Sequence, residues 1–125
     1  MESNMVGWFE IPVTDMERAK AFYDAVFDIT ISIHDLGGLV MGWFPHVPGK
    51  TGATGSLVKH EMYVPSATQG TLIYFSCADV ADQLVRAETA GGEILKPKTE
   101  IGDGHGYMAL LKDTEGNRIA LHSLK

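Results

Sequence analysis

Apolar and polar positions alternate near the start of the chain and then switch to helical spacing. In "GWFEIPV", residues 7–13, Phe9, Ile11 and Val13 occupy every second position, which is typical of a strand with one buried face. Over residues 16–26 the apolar side chains recur at intervals of three and four, which predicts an amphipathic helix. The pattern therefore predicts a strand followed directly by a helix that packs on it.

The same order of elements returns 64 residues further along the chain. Trp8–Val26 aligns with Leu72–Ala90, so that Asp15 falls on Asp79, and the offset also carries Trp43 onto Tyr107. Few residues are identical, so the repeat is one of pattern. We expect a single domain, residues 1–125, made of two modules.

Each module is predicted to contain a strand, a helix and three further strands. The modules cover about 5–58 and about 72–123, with a linker at about 59–71. Thr14-Asp15-Met16-Glu17 offers a capping box for the first helix, and Asp79 is expected to cap the second. The later strands are predicted at Ile29–His34, Leu39–Phe44, Ala53–Val58, Glu93–Leu95, Gly106–Leu111 and Arg118–His122.

Alternation also assigns the two faces of the predicted strands. One side is apolar and should meet the helices, because Phe9, Ile11 and Val13 are matched in the second module by Ile73, Phe75 and Cys77. Cys77 is therefore expected to be unreactive. The opposite side, called here the helix-free face, carries a mixed set: Trp8, Glu10, Pro12, Ser56, Leu72, Tyr74, Ser76, Ala120 and His122. Such a composition resembles the lining of a ligand pocket.

The composition of the chain argues against several classes of function. The chain has 125 residues and a formal net charge of −6, which argues against nucleic-acid binding because that needs a basic surface. No apolar run approaches the length of a membrane span, and the first residues lack the pattern of a signal peptide. A single cysteine is compatible with a reducing compartment, so a cytoplasmic location is expected.

Two segments resemble the vicinal oxygen chelate superfamily, which includes glyoxalase I, extradiol dioxygenases and bleomycin-resistance proteins. They are "IPVTDMERAKAFYDAVF" near the start and "KDTEGNRIALHS" near the end. The resemblance covers nearly the whole chain. It implies an α+β fold in which two βαβββ modules in tandem form a cupped, eight-stranded mixed sheet with helices on the outer face. It also implies a homodimer and a site for a small molecule in the cup.

The resemblance also implies where metal ligands would stand. Metal-dependent members carry His or Glu at four strand positions that fall here on Trp8, Ser56, Leu72 and Ala120. None of these side chains is a usual ligand for a divalent ion. We therefore expect no metal cofactor at these positions. A shifted site is the alternative, with Glu10, His122 and a third donor.

Glu10 and His122 are the candidate catalytic residues. Glu10 lies two positions after Trp8, and His122 lies two positions after Ala120. Each therefore shares a face with a position where metal-dependent members carry a ligand. A hydrogen-bonded carboxylate–imidazole pair would be an acid–base arrangement. The alternative is a structural pair, or two separately solvated groups.

The sequence also predicts the positions of two loops and of one pair of aromatic residues. "HVPGKTGATG", residues 46–55, is expected to form a loop over the cup. "GDGHGY", residues 102–107, leads into a strand instead of a helix, so it is interpreted as a glycine turn with His105 at the pocket rim. Trp43 and Tyr107 are expected to be core residues, with a place in the pocket wall as the alternative.

Two functional hypotheses of different classes follow. The first is a metal-free protein that binds a small, partly aromatic molecule between Trp8 and Tyr74, with Glu10 supplying charge or a hydrogen bond. The second is an enzyme, either a Glu10/His122 acid–base catalyst or a metal-dependent lyase, isomerase or dioxygenase. In a third hypothesis the fold acts only through its dimer surface.

Overall fold

The computed structural model describes residues 4–125, which form two helices and eight strands. The first module comprises β1 (Phe9–Pro12), α1 (Met16–Phe27), β2 (Ser32–Asp35), β3 (Val40–Trp43) and β4 (Gly55–Lys59). The second comprises β5 (Tyr74–Ser76), α2 (Val80–Thr89), β6 (Glu93–Glu100), β7 (Tyr107–Lys112) and β8 (Arg118–Ser123). Within this part of the chain, no helix has the length and apolar character needed to cross a membrane.

Each module contributes one four-stranded mixed sheet. The strand orders are β1-β4-β3-β2 and β5-β8-β7-β6, with one parallel pair at the start of each. The hydrogen-bonded ladders stay within the modules, and the modules meet where the rings of Phe9 and Phe75 lie 5.9 Å apart. The predicted α+β fold with tandem modules is confirmed.

Both helices and the helix-facing sides of both sheets share one core. The predicted division of faces is confirmed for Leu57, Ile119 and Leu121, which are at most 1% exposed. The core consists of Ile11, Val13, Met16, Ala19, Phe22, Tyr23, Val26, Ile31, Leu57, Val80, Leu84, Ala87, Ala109, Leu111, Ile119 and Leu121. One continuous core holds the two modules together.

Aspartates cap the N-termini of both helices. Asp79 accepts a hydrogen bond from the backbone N–H of Ala81, as predicted. At α1 the cap is Asp15, which accepts from the N–H of Arg18, so the predicted capping box beginning at Thr14 is wrong by one residue. The hydroxyl of Thr14 donates instead to a residue of the second module, described below.

Two strands differ from their predicted bounds by three residues or more, and the other predicted strands differ by one or two. β2 begins at Ser32 and not at Ile29, because Asp24 of α1 accepts hydrogen bonds from the N–H groups of Ile29 and Ile31. β6 runs on to Glu100 through Pro97, with two register shifts against β7. It is an edge strand, where a proline without an N–H is tolerated.

The strand registers correct part of the repeat alignment. Glu10 pairs with Ser56 and Tyr74 pairs with Ala120, so the offset of 64 holds for β1 and β4. Trp43 also pairs with Ser56, whereas Ala120 pairs with Leu110. The counterpart of Trp43 is therefore Leu110 and not Tyr107. Between these paired positions, the chain from Trp43 to Ser56 is three residues longer than the chain from Leu110 to Ala120.

The turn between β7 and β8 reaches the first module and fastens it. Glu115 has a fully buried side chain and accepts hydrogen bonds from the N–H groups of Thr14 and Asp15, at 2.9 and 2.8 Å. Nε of Arg18 lies 2.6 Å from its second oxygen. Asn117 of the same turn donates to the carbonyl oxygen of Pro12 at 2.7 Å. We call the turn at residues 113–117 the clasp.

The clasp also accepts a hydrogen bond from the buried hydroxyl of Tyr23 in α1. Tyr23 is fully buried and donates to Oδ2 of Asp113 at 2.6 Å. Burial, followed by the charge of Asp113, raises the pKa of Tyr23 well above its ordinary value, so the hydroxyl keeps its proton and acts as a donor.

Tyr23→Phe is expected to lower the free energy of unfolding by about 2 kcal/mol, because a hydrogen bond to a buried carboxylate is lost. Urea unfolding of the variant and the wild type measures the difference. Tyr74→Phe is the matched control, since the Tyr74 side chain is 51% exposed, and should change stability by less than about 0.5 kcal/mol. Equal effects of the two substitutions would contradict the assigned role of the Tyr23 hydroxyl.

Candidate functional site

Glu10 lies on β1 and points away from the helices. Its side chain is exposed, and Oε1 accepts a hydrogen bond of 3.0 Å from the hydroxyl of Tyr63. This bond raises the pKa of Tyr63. Tyr63 belongs to the linker between the modules, where no periodic pattern marked it as a site residue. Glu10 therefore retains one oxygen for another partner.

His122 lies on β8 and is held by a loop of its own module. Its Nε2 is 2.7 Å from the carbonyl oxygen of His105, so Nε2 is the protonated nitrogen that donates. Glu10 and His122, the predicted acid–base pair, thus have different hydrogen-bond partners among the described residues. The structure does not join them, because each is satisfied by a nearby loop. Their catalytic role stays a prediction.

Three large aromatic side chains project from or beside the helix-free face. Trp8 is 44%, Trp43 37% and Tyr74 51% exposed. Trp43 was expected in the core, but it follows Gly42, whose Cβ direction points at Met16 of α1, so Trp43 itself points to the opposite face. The ring of His34 lies 3.9 Å from that of Trp43 and covers part of it.

The remaining predicted pocket residues are less accessible. Ser56 and Ala120 occupy the inner strands β4 and β8 and expose none of their surface. Leu72 is partly buried, just before β5. The hydroxyl of Ser56 is buried, and within residues 4–125 it has no hydrogen-bond partner. A ligand on this face therefore meets the aromatic side chains and Glu10 before it meets the inner strands.

The linker crosses near Glu10 and forms a small cleft with it. The cleft has a volume of about 260 Å³ and is bordered by Glu10 and Pro12 from the first module and by Arg118 from the second. Ser66 and Gln69 of the linker complete its wall. Of the residues assigned to the helix-free face, Glu10 and Pro12 border this cleft.

The loop at residues 46–55 does not lie over the helix-free face as expected. It borders a different cleft together with Phe75 and Cys77, which belong to the helix-facing side. Cys77 is partly buried, and burial raises the pKa of its thiol to about 11, in agreement with its expected lack of reactivity.

The four positions assigned to metal ligands by resemblance do not fit a metal ion. They offer one oxygen, the hydroxyl of Ser56, while Trp8, Leu72 and Ala120 have no ligating atom. Elsewhere in residues 4–125, no group of three or more His, Cys, Asp or Glu side chains is arranged to hold one. The donor set at these four positions therefore supports no reaction step through a metal.

Comparison with protein families gives a match over most of the chain. The family described as "Glyoxalase/Bleomycin resistance protein/Dioxygenase superfamily" matches residues 5–121. No curated protein matches the sequence.

Solved structures with the same fold include binding proteins and enzymes. TnmS3, described as an antibiotic binding protein from Streptomyces sp. CB03234, is 22% identical, with a TM-score of 0.68 and 98% of each chain covered. A glyoxalase/bleomycin resistance protein from Albidiferax ferrireducens T118 is 20% identical (TM-score 0.69), with 94% of this chain and 98% of that chain covered. Glyoxalase I from Zea mays is 16% identical (TM-score 0.72); 94% of this chain matches 45% of that one, so this chain spans about half its length.

Proposed function

The chain belongs to the glyoxalase/bleomycin resistance protein/dioxygenase superfamily, and we propose that it is a metal-free protein that binds a small, partly aromatic molecule on its helix-free face. The observation that carries the proposal is the exposure of Trp8, Trp43 and Tyr74 on or beside that face, next to the exposed carboxylate of Glu10. Exposed aromatic rings of this size offer stacking surfaces for a planar ligand.

Glu10 offers a carboxylate to a positively charged group of the ligand. Its carboxylate is exposed, and Tyr63 occupies only one of its two oxygens. An aromatic cation can stack on a tryptophan ring and at the same time approach the carboxylate. Antibiotic binding by TnmS3 is compatible with such a use of the fold.

Two planar probes of opposite charge test the proposal. We expect the cation 9-aminoacridine to bind more tightly than the anion 1-anilinonaphthalene-8-sulfonate, measured by isothermal titration calorimetry. Glu10→Gln should weaken binding of the cation about two- to fivefold, which corresponds to an exposed ion pair of up to about 1 kcal/mol. Trp43→Leu should weaken binding of both probes, because it removes a stacking surface.

Glu88→Gln is the matched control for the change of charge. Glu88 is an exposed residue of α2, on the far side of the sheet from the helix-free face, and its loss should leave both affinities unchanged. The proposal fails if neither probe binds, or if Glu10→Gln and Glu88→Gln have the same effect.

The metal-free state and the homodimer are parts of the same proposal. Elemental analysis of the purified protein should find no stoichiometric Zn, Ni, Fe or Mn, and a stoichiometric amount of any of them would contradict it. Light scattering after size exclusion should give twice the mass of one chain. Trp43→Glu should reduce that mass to one chain if the helix-free faces of two copies cover each other; an unchanged dimer would place the interface elsewhere.

A further inference from the structure

The two modules are fastened at one end of their seam and not at the equivalent end. On the fastened side the clasp, residues 113–117, brings Glu115 to the start of α1. Its counterpart in the first module is the longer loop at 46–53, "HVPGKTGA", which contains no carboxylate. On the offset of 64, the clasp partners Arg18 and Tyr23 correspond to Asp82 and Ala87 of α2. The side with the loop at 46–53 therefore has no equivalent of the Glu115 carboxylate and no equivalents of Arg18 and Tyr23.

A cleft lies at the unfastened side of the seam. It has a volume of about 950 Å³ and extends between the loop at 46–53 and the segment that leads into α2, Cys77 and Ala78. It shares Ser76 with the helix-free face, but Trp8, Glu10, Trp43 and Tyr74 are not among the residues that border it.

Four phenylalanines form the apolar floor of this cleft. Phe9, Phe27, Phe44 and Phe75 all border it, and each is only partly buried. Their rings pack on one another, with centroids 4.7 Å apart for Phe27 and Phe75 and 5.4 Å apart for Phe9 and Phe44. The floor is thus a fixed aromatic surface that still exposes ring area, which favours the stacking of a further aromatic ring.

One polar atom at the cleft lacks a partner. Gln83 of α2 borders the cleft, and its Oε1 is buried without a hydrogen-bond partner inside the described region. A buried acceptor without a donor is unfavourable, so a turn of the Gln83 side chain that brings Oε1 to a ligand donor in the cleft would gain a hydrogen bond. Among the residues bordering the cleft there is no Asp or Glu, and Lys50 is the one that carries a full charge. The cleft therefore disfavours a cation.

We propose that this cleft is a second ligand site, which binds a neutral molecule of two or three fused aromatic rings with one O–H or N–H group that donates to Oε1 of Gln83. The rings lie against the four phenylalanines, and the loop at 46–53 forms the outer wall. The site differs from the helix-free face in both charge preference and location, so each can be tested without the other.

A pair of probes that differ by one donor tests the site. 2-Naphthol carries an O–H group, and 2-methoxynaphthalene has the same rings without a donor. In an NMR titration of the ¹⁵N-labelled wild type at pH 7, we expect both to shift the backbone signals of Cys77, Ala78 and the loop at 46–53. 2-Naphthol should bind about two- to tenfold more tightly and shift the side-chain amide signal of Gln83.

Two variants distinguish the contribution of the hydrogen bond to Gln83 from the contribution of the cleft itself. Gln83→Leu should abolish the difference in affinity between the probes while leaving binding of 2-methoxynaphthalene. Ala53→Trp should fill the cleft and weaken binding of both probes at least tenfold. Circular dichroism checks that each variant is folded, and the comparison of the two probes on the wild type remains informative if a variant is not.

Glu88→Gln is the matched control. It should change neither affinity, because Glu88 is exposed on α2 and does not border this cleft. The proposal is overturned if the wild type binds neither probe, if the shifts centre on the indole signals of Trp8 and Trp43, or if Gln83→Leu leaves the preference for 2-naphthol intact. The last two outcomes would be compatible with a site on the helix-free face alone.

Discussion

Replacing Glu115 by glutamine is expected to lower the free energy of unfolding by about 3 kcal/mol at pH 7. The side chain of Glu115 is fully buried and joins both modules, since it accepts from the N–H groups of Thr14 and Asp15 and from Arg18. An amide has one acceptor oxygen and no charge, so the substitution would remove the ion pair and leave donors unsatisfied. Urea unfolding followed by circular dichroism measures the loss.

The effect of Glu115 should depend on pH. Burial acts to raise the pKa of Glu115, but the hydrogen bonds from Arg18, Asp15 and Thr14 outweigh it and lower the pKa to about 2. The folded pKa is below the ordinary value of 4.5, so the stabilisation is fully present above about pH 4.5 and is lost as the pH falls towards 2. The difference between wild type and Glu115→Gln should therefore shrink by more than half between pH 7 and pH 3.

Glu88→Gln again supplies the control. Glu88 is exposed on α2, and its replacement should change stability by less than about 0.5 kcal/mol at every pH. If Glu115→Gln were as mild, or if its effect were constant from pH 7 to pH 3, the ionised clasp would not be what holds the modules.

Gly55→Ala is expected to destabilise the protein by about 3 kcal/mol or more. Gly55 begins β4 and pairs with Phe9 of β1 in a parallel ladder. A Cβ at this position would overlap the carbonyl oxygen of Phe9 and come within 2.6 Å of its ring. The carbonyl oxygen of Phe9 belongs to the backbone and cannot rotate away as a side-chain atom can. Strands β1 and β4 must therefore move apart. Thermal and urea unfolding would both report the loss.

Gly7→Ala is the matched control for Gly55→Ala. Gly7 precedes β1, and a Cβ there would meet nothing within 4 Å. The substitution should leave stability unchanged or raise it slightly, because alanine restricts the unfolded chain. Similar stabilities of the two variants would show that β1 and β4 can move apart without cost.

Local patterns predicted most of the fold. The apolar spacing at residues 16–26 and the aspartate at 79 led to both helices, since helix formation and capping depend on neighbours in the chain. The ends of β2 and β6 were misplaced, because contacts with Asp24 and with β7 set them. The alignment of Trp43 with Tyr107 failed for a similar reason. The chain between the paired residues of β3 and β4 is three residues longer than the chain between those of β7 and β8, and only the strand registers show this.

The candidate site was predicted in outline and not in its contacts. Alternation placed Glu10 and His122 on the helix-free face, but it could not show that Tyr63 and the carbonyl of His105 are their partners. These partners come from the linker and a glycine turn, which have no periodic pattern. The exposure of Trp43 agrees with the pocket wall, which was the less favoured alternative because an aromatic residue in a strand is more often buried.

The sequence by itself determined the tandem βαβββ order, the family and, for β1, β4, β5 and β8, the side that meets the helices. These properties follow from periodicity and short motifs, which act over a few residues. The tertiary structure alone decided that Glu115 joins the modules over about 100 positions of sequence and that the matching side stays open beside Gln83. The reason is that both features are made by residues far apart in the sequence. The hydrogen bonds of the clasp and the volume of the cleft exist only once the two modules have packed together.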